Sequence, residues 1–141
     1  MKKTQKKLGN KGFSLVELIV VIAIMAVLVG VLAPTLIKNI EKSRESKDAQ
    51  NIEQIKSAAE IALQNETAYS EVVPATASAT ADLVTINNSG TVLNTNSSFI
   101  EEFSSSMDTS KTKLTSKKYK TATVKVQVNG KGQVSVSGAI D

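Results

Sequence analysis

The sequence predicts an α+β protein: one long N-terminal α-helix, membrane-spanning in its first half and amphipathic in its second, packed on a small C-terminal antiparallel β-sheet. Three observations predict it. Leu18–Ile37 is a run of twenty residues without a charge. No glycine or proline interrupts residues 35–73, so a helix begun in the apolar run can continue beyond it. Near the end of the chain, residues 121–128 alternate apolar and polar side chains and meet a glycine-containing turn, the pattern of a β-hairpin.

Taken in order, residues 1–12 hold five lysines and no acid, and residues 13–37 carry a single charge, Glu17. The apolar run is long enough to cross a hydrocarbon core of about 30 Å. Its β-branched residues do not forbid helix, because lipid forces backbone groups to bond within the segment. Gly30 and Pro34 predict a kink near its far end. Residues 38–69 read as the amphipathic continuation of the same helix. Ile37, Ile40, Ile52, Ile55, Ala59, Ala62 and Leu63 trace an apolar stripe, and Glu41, Arg44, Glu45, Asp48, Glu53, Lys56 and Glu60 are expected on the opposite face. A helix from 13 to about 65 would be roughly 80 Å long. Residues 70–141 form a variable loop and an antiparallel β domain. Pro74–Ala81 reads as loop. Asp82–Ile86 and Thr91–Leu93 flank Asn87-Asn88-Ser89-Gly90 as a hairpin, and Ser98–Met107, with Phe99, Ile100 and Phe103, reads as a short helix. After the turn Asn129-Gly130-Lys131-Gly132, Val134 and Val136 return on the face of Val124, Val126 and Val128. That face is expected to pack on Ile52, Ile55, Ala59 and Leu63.

The 141 residues include no cysteine and no histidine. That removes disulfides, thiol nucleophiles, His-based triads and the usual zinc sites. Glu101, Glu102 and Asp108 lack EF-hand spacing, and adjacent carboxylates point apart in any regular element. No glycine-rich phosphate loop is present. The reading is therefore a non-enzyme, with no catalytic residue, no metal ligand and no cofactor. Residues 111–131 hold seven lysines and no acid, whereas residues 41–108 hold eleven acids and four basic residues. The lysines would shield strand 121–128 from edge pairing, or meet the acidic middle of a neighbouring subunit. Nucleic acid is not the expected partner, because the basic stretch has no arginine and only Tyr119 to stack on a base. Triplets at Asn65, Asn87 and Asn96 match the N-glycosylation pattern at the rate chance allows.

A basic start followed by an apolar run suggests a secretory signal, but a cleaved signal has a core of roughly 7–15 residues. Here the run is longer, and Val31-Leu32-Ala33 is followed by Pro34, so the alternative cut lies before the run, at Gly12-Phe13. The string Lys11-Gly12-Phe13-Ser14-Leu15-Val16-Glu17 resembles the class III signal of type IV pilins and pseudopilins, with Pro34 where many members have a kinking proline. The resemblance extends from Lys2 to Ile37, and the rest of the chain matches in architecture alone. It implies that a prepilin peptidase cuts after Gly12, that Phe13 becomes the N-terminus and is N-methylated, and that Glu17 pairs with the Phe13 amine of a neighbouring copy. It also implies a helical homopolymer with related minor pilins, an inner-membrane platform protein and an assembly ATPase. Cysteine is absent, whereas many Gram-negative pilins close a C-terminal loop with a disulfide; this points to a Gram-positive host.

Physics supports a role for Glu17 without the resemblance. A carboxylate in an apolar helix costs a few kcal/mol on insertion scales, so it is kept for a partner or snorkels to the interface. In a chain starting at Phe13 the nearest cation is the new α-amine; Lys38 lies roughly 30 Å along the helix. A buried pair adds little stability but fixes register between smooth apolar helices. The C-terminal domain of about a hundred residues translocates regardless of charge, which puts the N-terminus in the cytoplasm and the domain outside. Without its first twelve residues the chain has twelve basic and thirteen acidic side chains, so the formal +4 belongs to the leader. The expected function is a pilin-like filament subunit, first a single-pass membrane protein and then part of a surface filament. The alternatives are a pseudopilin of a type II-like secretion or DNA-uptake machine and an unprocessed signal-anchored binding module.

Overall fold

The computed structural model describes residues 12, 14–94 and 97–138. The chain divides into two compact units, Met1–Asn39 and Ile40–Asp141. Helix α1 is Leu15–Ala62, with Pro34 inside it. In the first unit its side chains are apolar on nearly every side from Leu18 to Ile37, and none is buried. A helix that is apolar all round has no face to turn toward water, which is the composition of a membrane span.

In the second unit α1 acquires a stripe. Its buried residues are Asp48, Ile52, Ile55, Ala58, Ala59 and Ala62, and the spacing 48, 52, 55, 59, 62 keeps one side of the helix inward. Asp48 is fully buried, which corrects its expected place on the solvated face. The charge is tolerated because it is saturated with donors. Its carboxylate accepts from the Thr115 amide at 3.0 Å, the Ser116 amide at 2.8 Å and the Thr115 hydroxyl at 3.3 Å. One heptad earlier, Glu41 accepts from the Lys117 amide. Two acids on the core-facing row of α1 thus pin the segment 115–117.

The amphipathic helix does not continue unbroken to residue 69. It ends at Ala62, and α2, Glu66–Val72, follows. The cause is Asn65, which sits in extended conformation and accepts from the Thr67 and Ala68 amides through its side chain. Asparagine caps a helix better than it continues one. Pro74 explains the other end of α2, since Val73 before it is extended.

The sheet comprises β1 (Thr80–Asn87), β2 (Gly90–Leu93), β3 (Val124–Asn129) and β4 (Val134–Ser137), all antiparallel, in the order β2-β1-β3-β4. Helix α3, Ser97–Ser106, and a 3-10 turn at Lys117–Tyr119 lie between β2 and β3. Strand β3 is central, so its expected role as a lysine-shielded edge is corrected; the outer strands are β2 and β4. Across the sheet Val84, Val126 and Val136 form one row, and Ala81, Val128 and Val134 another. A register shift between Asp82 and Val84 inserts Leu83, so that Leu83 and Val84 are both fully buried although adjacent. At the β3–β4 turn Gly132 has φ +76°, a left-handed conformation that favours glycine, and a Cβ there would push the end of the Tyr69 ring aside.

One hydrophobic core joins these elements. It contains the expected Ile52, Ile55, Ala59 and Leu63 with Val124, Val126 and Val128, while Val134 and Val136 pack on it partly buried. Phe99 and Phe103, one turn apart on α3, stack inside it with ring centroids 5.7 Å apart. Leu114 and Tyr119 anchor the segment before β3 to the same core.

Candidate functional site

The candidate site is the start of α1. Gly12 is exposed and outside regular structure, and Phe13 lies outside the described residues. Ser14 precedes the helix. Its hydroxyl accepts from the Glu17 amide at 3.3 Å, and the Glu17 carboxylate (Oε2) accepts from the Ser14 amide at 2.8 Å. This reciprocal pair is a capping box, which satisfies two backbone groups that a helix start leaves open. The sequence reading missed it, although Ser14-x-x-Glu17 ahead of an apolar run is its signature. Glu17 therefore has a partner within its own chain. Among the described residues Oε1 accepts no hydrogen bond, so the carboxylate can hold the cap with one oxygen and take a cation with the other.

Beyond the cap, Leu18, Ile24, Leu28 and Leu32 are 53–60% exposed. The helix is long and apolar enough to cross a membrane. Proline at 34 has no N–H, so the carbonyl of residue 30 receives no helical hydrogen bond. The two residues singled out for the kink are thus donor and acceptor of one missing bond. Space is open around Gly30, where an added Cβ would meet nothing within 4 Å.

Outside this segment the polar groups serve the fold. Asn65 and Asn87, both in glycosylation-type triplets, use their side-chain oxygens to cap α2 and to close the β1–β2 turn. Asn96 lies outside the described residues. Burial, then Asp48 and Glu45, push the Tyr119 phenol above its ordinary value. On the outer sheet face Asp82 meets Lys125 at 2.6 Å and also accepts from Gln127. The bond from Lys125, then that from Gln127, holds its carboxyl below the usual range.

Residues 7–33 match the family described as the prokaryotic N-terminal methylation motif. The match takes in Gly12, Phe13, the capping box and most of the uncharged run. No curated protein and no solved structure matches the chain. The motif fits the class III signal of type IV pilins and pseudopilins, and the long apolar helix with a small antiparallel sheet is a pilin-like α+β architecture. The motif points to a structural subunit and the helix to a transmembrane anchor.

Proposed function

We propose that the chain is a type IV pilin-like subunit that polymerises through the first half of α1 into a surface filament. A prepilin peptidase cuts after Gly12 and methylates the new N-terminal Phe13. The leader 1–12 is discarded. Residues 13–37 hold the subunit in the membrane before assembly and line the filament bore afterwards, and residues 70–141 form its exterior. Glu17 then takes the Phe13 amine of a neighbouring copy with the oxygen its cap leaves open. The missing bond between residues 30 and 34 lets the helix bend or loosen as copies pack. An inner-membrane platform protein and an assembly ATPase drive the transfer from membrane to filament.

The observation that carries this reading is the methylation motif over residues 7–33, joined without a break to an uncharged helix. The N-terminus of the native protein tests it. Mass spectrometry is expected to find N-methylated Phe13, and Gly12→Leu is expected to leave the full-length precursor on a gel. A native N-terminus at Met1, with no difference between Gly12→Leu and wild type, would sink the processing step. Glu17→Ala separates processing from assembly: it is expected to be cut normally but to form few filaments. Glu17→Gln, which keeps the cap acceptor but not the charge, is expected to fail like alanine. Normal filaments from Glu17→Gln would reduce Glu17 to a helix cap.

A further inference from the structure

The second unit contains an open cavity of about 600 Å³ walled by cations from separate parts of the chain. Arg44 and Lys47 come from α1, Lys113, Lys117 and Lys120 from the segment between α3 and β3, and Asn88 from the β1–β2 turn. No carboxylate side chain lines it. Two acids that contact lining residues are already committed. Glu41 faces Arg44 at 3.8 Å and accepts from the Lys117 amide, and Asp48 is taken up by Thr115 and Ser116. Among the described residues Lys47, Lys113, Lys117 and Lys120 make no ion pair. Like charges gathered around a concave surface repel one another and raise the local concentration of anions.

A second observation lies at the same place. Ser116 lines the cavity, is 2% exposed, and its hydroxyl has no hydrogen-bond partner among the described residues. A buried hydroxyl without a partner is costly, and here it marks a polar side chain at the cavity wall that the fold leaves unsatisfied. The frame around it is fixed, because Asp48 holds the Thr115 and Ser116 amides, Glu41 holds that of Lys117, and Leu114 and Tyr119 are anchored in the core.

We propose that this cavity binds an anion carrying several phosphate groups, such as a polyphosphate or phosphodiester chain. Lysine ammonium groups are compact point charges with three donors, which suit phosphate oxygens spread along a chain. The volume exceeds what one phosphate fills. No aromatic side chain lines it, so a base has nothing to stack on, and the backbone phosphate chemistry is what the site reads. The inference does not depend on the filament reading.

The full chain in neutral detergent, titrated with sodium tripolyphosphate in a calorimeter, tests it. The triple variant Lys113→Gln/Lys117→Gln/Lys120→Gln is compared with Lys111→Gln/Lys118→Gln/Lys131→Gln, which removes the same charge from exposed lysines outside the cavity. Circular dichroism melts verify that both remain folded. The cavity triple is expected to weaken binding by about tenfold or more, the control triple by less than about twofold. Binding should also weaken as salt shortens the screening length. Equal loss in both triples, or no saturable binding by wild type, overturns the proposal. A hexaglutamate peptide that binds more tightly than tripolyphosphate through the same three lysines overturns the phosphate assignment in favour of an acidic protein segment. Cardiolipin, whose headgroup carries two phosphates, doped into the micelles distinguishes sources of the same chemistry. Competition with tripolyphosphate for the three lysines assigns a lipid headgroup, and its absence assigns a soluble phosphate chain. Ser116→Ala should lose affinity while melting no lower than wild type, since it removes an unpartnered buried hydroxyl; unchanged affinity removes the hydroxyl from the site.

Discussion

The two halves of α1 obey the same backbone geometry and opposite rules of solvation. From Leu15 to Asn39 no side chain is buried, and the large apolar residues among them, leucine, isoleucine, valine and methionine, are exposed. From Ile40 to Ala62 the helix is mostly charged or polar, yet it buries Ile52, Ile55, Ala58, Ala59 and Ala62. The first half has hydrophobicity without direction. The second has less of it but concentrates it on one row. A helix with no polar face needs a solvent other than water, or copies of itself; a helix with a stripe needs only a sheet. The one carboxylate of the first half and the buried one of the second are handled alike: each accepts backbone amides rather than lying bare.

The largest effect that separates the halves is expected from Phe103→Ala. The ring is fully buried and stacked on Phe99, and its loss should cost about 3–5 kcal/mol. Urea unfolding of the second unit should shift accordingly, while membrane retention through residues 15–37 stays as in wild type. If retention fell as well, the halves would not be independent. The reciprocal change is Leu28→Lys, at the middle of the uncharged run, where Leu28 is 53% exposed. It should cost about 2.5–3.5 kcal/mol on insertion scales. The fraction resisting alkaline extraction should drop, with no change in the urea midpoint of the second unit. Asp48→Ala comes next. It removes the acceptor of the Thr115 and Ser116 amides and should destabilise the second unit by about 2–3 kcal/mol. Proteolysis between Lys111 and Lys120 should accelerate before global unfolding. A cut rate equal to wild type would mean that the segment is held by Leu114 and Tyr119 alone.

The same contrast explains what could be read in the residue order. The span from Leu18 to Ile37 needs only composition, and the β3–β4 hairpin needs only alternation and its glycines; both appear where expected. The string from Gly12 to Glu17 is legible too, because its information is local, and it falls inside the methylation-motif match over residues 7–33. Asp48 was misplaced because its charge outweighed its position. Counted by spacing, it stands seven residues before Ile55 and fourteen before Ala62, on the buried row. The break at Asn65 was hidden for a related reason: asparagine does not forbid a helix, and only its side-chain bonds to two amides show that it starts one. Strand β1 starts two residues earlier than expected, at Thr80, and the extra residue at Leu83 breaks its alternation. Leu114 and Tyr119 sit in a lysine- and threonine-rich stretch with no period at all, and tertiary packing alone gives them their role. The lysines around them were legible as a charge, but the cavity exists only once α1 and the 113–120 segment are brought together.

The smallest effect bears on how each half meets acid. Asp82 pairs with Lys125 on the outer sheet face, its side chain 33% exposed and that of Lys125 44%. Its carboxyl is held below the ordinary value, chiefly by the bond from Lys125 and then by that from Gln127. A carboxyl whose folded value is depressed stabilises the fold above the unfolded value, near pH 4, and loses that stabilisation as pH falls through the folded value. The pair is open to solvent, so the contribution is about 0.2–1 kcal/mol rather than what a buried pair would give. The unfolding free energy of the second unit should therefore decline below about pH 4, and Asp82→Asn should decline less over the same interval. High salt should reduce the difference only in part, since salt screens the charge of Lys125 but leaves the neutral donor Gln127 in place. An unchanged pH slope in Asp82→Asn would assign the acid sensitivity to another carboxylate of the second unit. The membrane retention of the first half should not follow this titration, because nothing in residues 18–37 ionises.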